Sequence, residues 1–252
     1  MTSPRVVILD IERVPGRAEV DFWDLSQFKN QRLHPDTVTS WPRSICFAWQ
    51  WHGERAIDFA AEWDLGGHEA MITKAWSIYD EAHVVVGHNV KSFDTAKLRG
   101  EWRTIGLPPP SPVKYFDTLS VARAQFGFES NTLDAICKRL GIGAKTDKYE
   151  VRTAQAAVAG DKRAQRRIEK YNKGDIVASR KLYEALRPWG TLNYGVFVDD
   201  DAAMCPSCLS HKLQKRGFAQ TGVSIFQRYQ CQEAGCGRWA RGRRALRTVE
   251  MR

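Results

Sequence analysis

At 252 residues, with 43% apolar and 27% charged positions, the chain suits one large domain or a medium domain plus a small module, and it is too short for a complete polymerase. No apolar run nears the roughly 18 residues of a membrane span, and MTSPRVVILD enters a strand-like run without a signal-peptide layout, which points to a cytoplasmic protein with no membrane partner. Charge is uneven: of 38 basic and 29 acidic residues (net +9), residues 203–252 hold 10 basic and 2 acidic, a density that suits a polyanionic partner, most often nucleic acid.

The continuous apolar run RVVILDI at 5–11 predicts a strand buried on both faces. Pro15, Gly16, Pro35 and Pro42 break up residues 13–44, where a short helix is expected near VDFWDLSQF, at 20–28. Runs 45–51 and 55–60 around His52-Gly53-Glu54 predict a hairpin. Helical spacing at Ala70, Met71, Lys74, Ala75, Ile78 and Tyr79 predicts a helix over 67–81, followed by a strand at 83–87. A helix is expected from Ser92 or Asp94 to about Ile105, ended by Pro108-Pro109-Pro110. A short strand follows at 114–116. Asn131 or Thr132 can cap a helix that ends at Gly141. Helix is expected again from about Thr153 to Leu186, with a break at Gly160-Asp161. Asp199–Asp201 reads as a polar linker. The order predicts an α/β layer domain of about 190 residues plus an appendage.

Asp10 and Glu12 lie one residue apart at the end of the first strand, so period two points both carboxylates the same way. Buried together they repel, and a hard divalent cation resolves that cost. For the pair taken alone, a strand that has simply surfaced is the favoured reading, and the later motifs reverse that balance. Asp94 follows the 83–87 strand in GHNVKSFD and reads either as a ligand or as a helix N-cap. Tyr171 and Asp175 in YNKGD are four apart and share a helix face. Asp117 and Asp134 occupy cap or first-turn positions and are set aside.

Together, LDIE at 9–12, Asn89 through Phe93-Asp94, and Tyr171-x3-Asp175 resemble the three motifs of the DnaQ-like 3′–5′ exonucleases on the RNase H-like fold. The likeness covers about residues 5–187. Lys170 stands where the other subclass carries histidine, so the tyrosine subclass is indicated. The resemblance implies a five-stranded mixed sheet with one antiparallel strand and helices on both faces. It implies two Mg²⁺ (or Mn²⁺) ions about 4 Å apart that activate water and stabilise the leaving 3′-oxygen. By the same resemblance Asp10 bridges both ions, Glu12 and Asp175 complete one site, and Asp94 holds the second through water. Tyr171 orients the nucleophilic water. His88 and Asn89 flank the second motif as candidate contacts to the terminal nucleotide, with a structural role as the alternative.

The other chemistry lies in the basic segment. Cys205, Cys208, Cys231 and Cys236 form two knuckles 22 residues apart, Cys-x2-Cys and Cys-x4-Cys. Clustered cysteines in a chain without a secretion signal point to metal, here one structural Zn²⁺ in a closed, non-catalytic shell of four thiolates. The segment between them predicts a β-hairpin and resembles zinc ribbons of transposases and phage proteins, apart from its wide second knuckle. His211 is a spare ligand candidate. Cys46 and Cys137 sit in apolar contexts and read as core thiols. Lys212, Lys215, Arg216, Arg228, Arg238, Arg241, Arg243, Arg244 and Arg247, interleaved with Phe218, Phe226, Tyr229 and Trp239, suit phosphate and base contacts.

These readings give an exonuclease domain over 1–187, a linker over 188–202, a zinc ribbon over 203–242 and a basic tail over 243–252. The expected activity is 3′–5′ hydrolysis from single-stranded DNA ends. Phe22, Trp23 and Trp41 are candidates for lining the path of the 3′ end, or for core packing. The fold equally hosts exoribonucleases, and a binding protein that recruits without cleaving is the third reading. A polymerase or other replication protein is an expected partner class.

Overall fold

The computed structural model describes residues 3–22, 24, 33–143 and 148–250. The helix expected near 20–28 falls for the most part outside them, as does Trp23. The chain opens with β1 (Val6–Val14), followed by a small ribbon of β2 (Arg17–Ala18) and β3 (Val38–Ser40) and by the hairpin β4 (Arg43–Trp51) and β5 (Asp58–Ala61). Then come α1 (Gly67–Glu81), β6 (Val84–Gly87), α2 (Asp94–Thr104) and β7 (Lys114–Asp117). The main sheet has the order β5-β4-β1-β6-β7. Strands β6 and β7 run parallel to β1, while β4 is antiparallel to both β1 and β5. One strand therefore opposes the other four, the mixed five-stranded sheet that the family resemblance implies.

The second half supplies α3 (Thr118–Gln125), α4 (Leu133–Arg139), α5 (Val151–Val158) and α6 (Lys162–Leu186). Alternation along β1 sorts its side chains between two cores. Val7, Leu9 and Ile11 pack with Ile72, Tyr79, Leu98 and Trp102 of α1 and α2. Val6 and Ile8 pack with Ile136, Ile176 and Tyr183 of α4 and α6. Asp10 and Glu12 continue the second set by period two, so they face α6. Each buried aliphatic is worth about 1.5–3 kcal/mol. A one-residue slip would turn the carboxylates into the α1–α2 core, so burial fixes their direction. A bulge in the β1–β4 pairing follows Glu12, the kind of break that re-aims side chains beside functional sites.

Helix α3 has no counterpart in the sequence reading, because eight residues are too few to show a clear period. Its N-cap is Asp117, which accepts from the N–H groups of Leu119 and Ser120. Thr132, rather than Asn131, caps α4. The expected break at Gly160-Asp161 separates α5 from α6, and Asp161 caps the latter. Cys46 and Cys137 are buried, at 0% and 1% exposure. Among the described residues no helix is long and apolar enough to cross a membrane.

The C-terminal module is a three-stranded sheet, β10-β9-β8, made of β8 (Leu213–Gln220), β9 (Ser224–Cys231) and β10 (Trp239–Thr248). The expected hairpin is β8–β9. The third strand runs through Arg243 and Arg244, residues expected in a tail. The stretch expected as a linker begins with packed chain. Tyr194 is 1% exposed and joins the α6 core, where the Tyr183 hydroxyl donates to its own at 2.9 Å. Gly190 lies so close to Phe116 that a Cβ there would overlap the ring. The Tyr194 N–H donates to the Pro206 carbonyl at 2.8 Å. The Arg187 Nε donates to the Ser207 carbonyl at 2.7 Å, and Arg238 Nη1 donates to the Pro188 carbonyl at 2.7 Å and also to that of Gly190.

Candidate active site

The carboxyl ends of β1, β6 and β7 share one edge of the sheet, where open α/β sheets bind ligands. Asp10, Glu12 and Asp175 converge there, each offering an oxygen within 4.8 Å of the others. Glu12 is 8% and Asp175 5% exposed. Three carboxylates this close in a partly dry setting repel one another. An all-oxygen donor set fits a hard cation such as Mg²⁺ or Mn²⁺. Tyr171, half-buried, precedes Asp175 by one turn of α6, and its ring centroid lies 6.2 Å from that of Tyr149. The Tyr149 hydroxyl donates to the Arg13 carbonyl. Burial, and then the charge of Glu12, push that phenol above its usual range.

Asp94 stands apart from the trio. It is 4% exposed, and its Oδ1 accepts from the Ile11 N–H at 3.1 Å. Phe93, not Asp94, occupies the N-cap position of α2. Burial pushes the Asp94 carboxyl up to about 7, against the lowering effect of its backbone donors. Asp117 is fully engaged: it accepts from Asn89 N at 3.0 Å and Lys91 N at 3.2 Å as well as capping α3. It clamps the 89–91 turn, in which Asn89 adopts a left-handed φ of 70°. Asp134 pairs with Lys138 at 2.6 Å.

A cleft of about 550 Å³ opens beside the carboxylates, bordered by Asp10, Asp175, His88, Asn89, Arg123 and Asn131. His88 Nδ1 lies 2.9 Å from Thr118 Oγ1, and Nε2 lies 2.8 Å from the Asn131 carbonyl. A carbonyl only accepts, so Nε2 carries a proton. His88 thus combines a bracing role with a place on the cleft wall. Phe22 is 50% and Trp41 68% exposed, so neither is a core residue.

The sequence reading passed over Asn172. It is fully buried, and its Nδ2 donates to Asp10 Oδ2 at 2.7 Å and to the Asp10 carbonyl at 3.3 Å. The available signal was its spacing, three residues before Asp175 on the same face of α6. Arg123 was also missed, since it lies on the unforeseen α3.

The four cysteines of the C-terminal module also converge, with all Sγ atoms within 4.8 Å. Cys205 and Cys236 are 3.7 Å apart, Cys208 and Cys231 3.5 Å. A disulfide needs about 2.05 Å. The edge of a tetrahedron with ~2.3 Å Zn–S bonds is about 3.8 Å. The set therefore fits one Zn²⁺, and the wide second knuckle closes as readily as the first. His211 instead lies 3.3 Å from Asp200. Lys212, Lys215, Arg216, Arg228, Arg241, Arg243 and Arg244 are all exposed.

Residues 50–187 match the family model of the RNase H superfamily. The chain belongs to that superfamily. The matched span holds Asp94, Tyr171 and Asp175, whereas Asp10 and Glu12 precede it. No curated protein matches the chain. Among solved structures it is similar to the family B DNA polymerase of the hyperthermophilic archaeon Pyrobaculum calidifontis, with a TM-score of 0.54 and 16% identity. That match covers 74% of this chain and 25% of the polymerase, so the chain spans about a quarter of that protein. At this identity the likeness supports the RNase H-like fold and nothing finer.

Proposed function

We propose that this RNase H-superfamily protein is a metal-dependent 3′–5′ exonuclease of the tyrosine subclass, acting on single-stranded DNA ends. The observation that carries this reading is the meeting of Asp10, Glu12 and Asp175 within 4.8 Å at the carboxyl end of the central strand. Asp10, Glu12 and Asp175 would hold one divalent ion, and Asp10 with Asp94 a second. Bound there, the ions supply an activated water and stabilise charge on the leaving 3′-oxygen. Tyr171 orients the water through its hydroxyl. Asn172 holds Asp10 Oδ2 and so orients that carboxylate toward the ions. His88 and Asn89 receive the terminal nucleotide in the cleft. The four-thiolate shell binds a structural Zn²⁺ that folds a module too small for its own core, and the ribbon assists nucleic-acid binding. The packing of Tyr194 and the length of β10 favour a catalytic domain reaching about residue 197 and a ribbon reaching Thr248.

The test is degradation of matched end-labelled DNA and RNA with Mg²⁺, Mn²⁺ or EDTA. Stepwise loss from the 3′ end, release of nucleoside monophosphates and resistance of a circular strand are expected. Cutting of a closed circle would refute the polarity. Activity undiminished in EDTA would refute the metal chemistry.

A further inference from the structure

The basic residues of the ribbon are not equivalent. Arg238 is committed to the Pro188 and Gly190 carbonyls, and Lys212 lies 3.2 Å from Glu233. The others divide by face. Cross-strand register sets Trp239 opposite Gln230 and Arg241 opposite Arg228. By period two, Phe226, Arg228 and Gln230 share a face of β9, so Trp239 and Arg241 share it too. Arg216 joins them. Its Nη1 donates to Gln230 Oε1 at 2.6 Å, and its guanidinium sits 5.7 Å from the Trp239 ring centroid. The Arg228 guanidinium lies 4.7 Å from the same ring, and that of Arg241 4.1 Å from Phe226. Arg228 Nε also donates to the Arg216 carbonyl at 3.0 Å. Lys215 pairs with Tyr229 in the register and belongs to the opposite face.

Three guanidinium groups are thereby ordered on two aromatic rings. Among the described residues, the ion pairs of the ribbon are Lys212–Glu233 and His211–Asp200, so these arginines keep their charge uncompensated. Stacking orders a guanidinium without neutralising it. The mutual repulsion of the three is relieved by a chain of anions laid across them. Trp239 keeps 44% of its surface exposed, and an aromatic ring can stack only on a base whose face is free. A polyanion with exposed bases satisfies both features, whereas an acidic peptide satisfies only the first.

We propose that the ribbon binds single-stranded nucleic acid through this one face, with Arg216, Arg228 and Arg241 on successive phosphates and Trp239 against a base. The inference rests on the nucleic-acid reading above and specifies its surface.

The experiment measures binding of a fluorescent single strand and of a duplex of equal length across salt. It uses the full chain carrying Asp10→Asn, with Zn²⁺ retained and no added Mg²⁺ or Mn²⁺. Each lost phosphate contact lowers the single-strand salt slope by ~0.7, so Arg216→Ala/Arg228→Ala/Arg241→Ala should lower it by about 2. Between ~50 and ~200 mM salt the parent would then lose roughly 20-fold more affinity than the triple variant. Trp239→Ala should weaken single-strand binding roughly 5- to 150-fold, the range for one stacked base, with the slope unchanged and duplex binding little affected. Lys215→Ala should stay within about twofold of the parent, since it sits outside the face and the slope counts only phosphate contacts. Arg228→Lys and Trp239→Phe keep the charge and the ring, and they hold the slope if alanine variants misfold. Equal losses in Lys215→Ala and Arg228→Ala would overturn the proposal, as would equal losses of single strand and duplex in Trp239→Ala. Cleavage by the chain with native Asp10 is scored separately. Face-dependent binding without cleavage would sink the nuclease reading alone, and cleavage without face dependence would sink this inference alone.

Discussion

Asn172→Leu isolates the contribution of a single donor to the carboxylate cluster. The side chain is fully buried, and its Nδ2 lies 2.7 Å from Asp10 Oδ2. Leucine keeps the heavy-atom count and the branch at Cγ and raises the helical preference, but removes the donor. It also removes the Asn172 Oδ1, a buried acceptor with no hydrogen-bond donor among the described residues, so the cost to folding is partly offset. A hydrogen bond to a charged group is worth about 1.5–3 kcal/mol. If Asp10 depends on it for orientation, that loss appears in the reaction barrier as roughly a 10- to 150-fold drop in rate. Stability should change by no more than about 1 kcal/mol, which is ~2–4 °C in Tm for a chain of this size. The assay is cleavage of an end-labelled strand across a Mg²⁺ titration, with a thermal melt alongside. The Mg²⁺ needed for half-maximal rate should rise, and Asn172→Asp should be worse, since it sets a fourth carboxylate against the trio. An Asn172→Leu protein with native rates at every Mg²⁺ concentration would refute the reasoning. So would one whose rate loss merely tracks unfolding.

Asp10→Asn or Asp175→Asn should cut the cleavage rate by on the order of 10³-fold or more with the fold intact, and Tyr171→Phe by less, because the first two remove ligand charge; a native rate in Asp10→Asn at saturating Mg²⁺ would contradict this. Asp94 has a folded pKa of about 7 against 3.8 for the free group, so the unfolded chain releases that proton first. Its contribution to stability therefore falls as pH rises from about 4 to about 7. Asp94→Asn should raise the Tm of the protein without added Mg²⁺ or Mn²⁺ above pH 7, by ~2–4 °C per kcal/mol recovered, and the gain should shrink toward pH 4; calorimetry showing a lower Tm at pH 8 would exclude the sign. Truncation after Leu186 removes buried Tyr194 and should lower Tm by roughly 10 °C, at about 3–5 kcal/mol for a lost buried aromatic. Truncation after Asp201 should cost less, and equal melting of the two would show that the 188–197 segment is not docked.

What the sequence made legible follows from periodicity. The run VVILDIERV carries both the strand and, by parity, the shared direction of Asp10 and Glu12. The four-residue spacing of Tyr171 and Asp175 carries their common helix face. Parity also makes Asn172 hard to notice: it adjoins a motif tyrosine, and an amide gives no sign of donating to a strand some 160 residues earlier. Helix α3 was hidden because Asp117 alone announces it, and that aspartate is equally suited to closing a strand. The junction was hidden because Asp199–Asp201 and the prolines read as linker, while the bonds from Arg187, Arg238 and the Tyr194 N–H that fasten it end on backbone carbonyls. Carbonyl acceptors leave no trace in sequence.

That junction changes what the C-terminal module can do. Asp175 faces β1 from the middle of α6, and the same helix ends at Leu186, one residue before Arg187 grips the Ser207 carbonyl. At 1.5 Å per residue, about 18 Å of helix separates the two. Arg238 and the Tyr194 N–H add anchors on either side. A flexible tether would raise only the local concentration of nucleic acid, with an effect that decays with linker length. If the module binds a strand as proposed, its fastening to the end of the helix that carries Asp175 would instead set the angle from which that strand approaches the carboxylates. On the proposed reading, loosening the junction with Arg187→Ala should leave the affinity of the ribbon for a strand almost unchanged. It should lower the rate on strands long enough to reach both sites, and spare those that reach only the cleft. A uniform effect of that substitution on long and short substrates would mean that the two modules act independently, however closely they are packed.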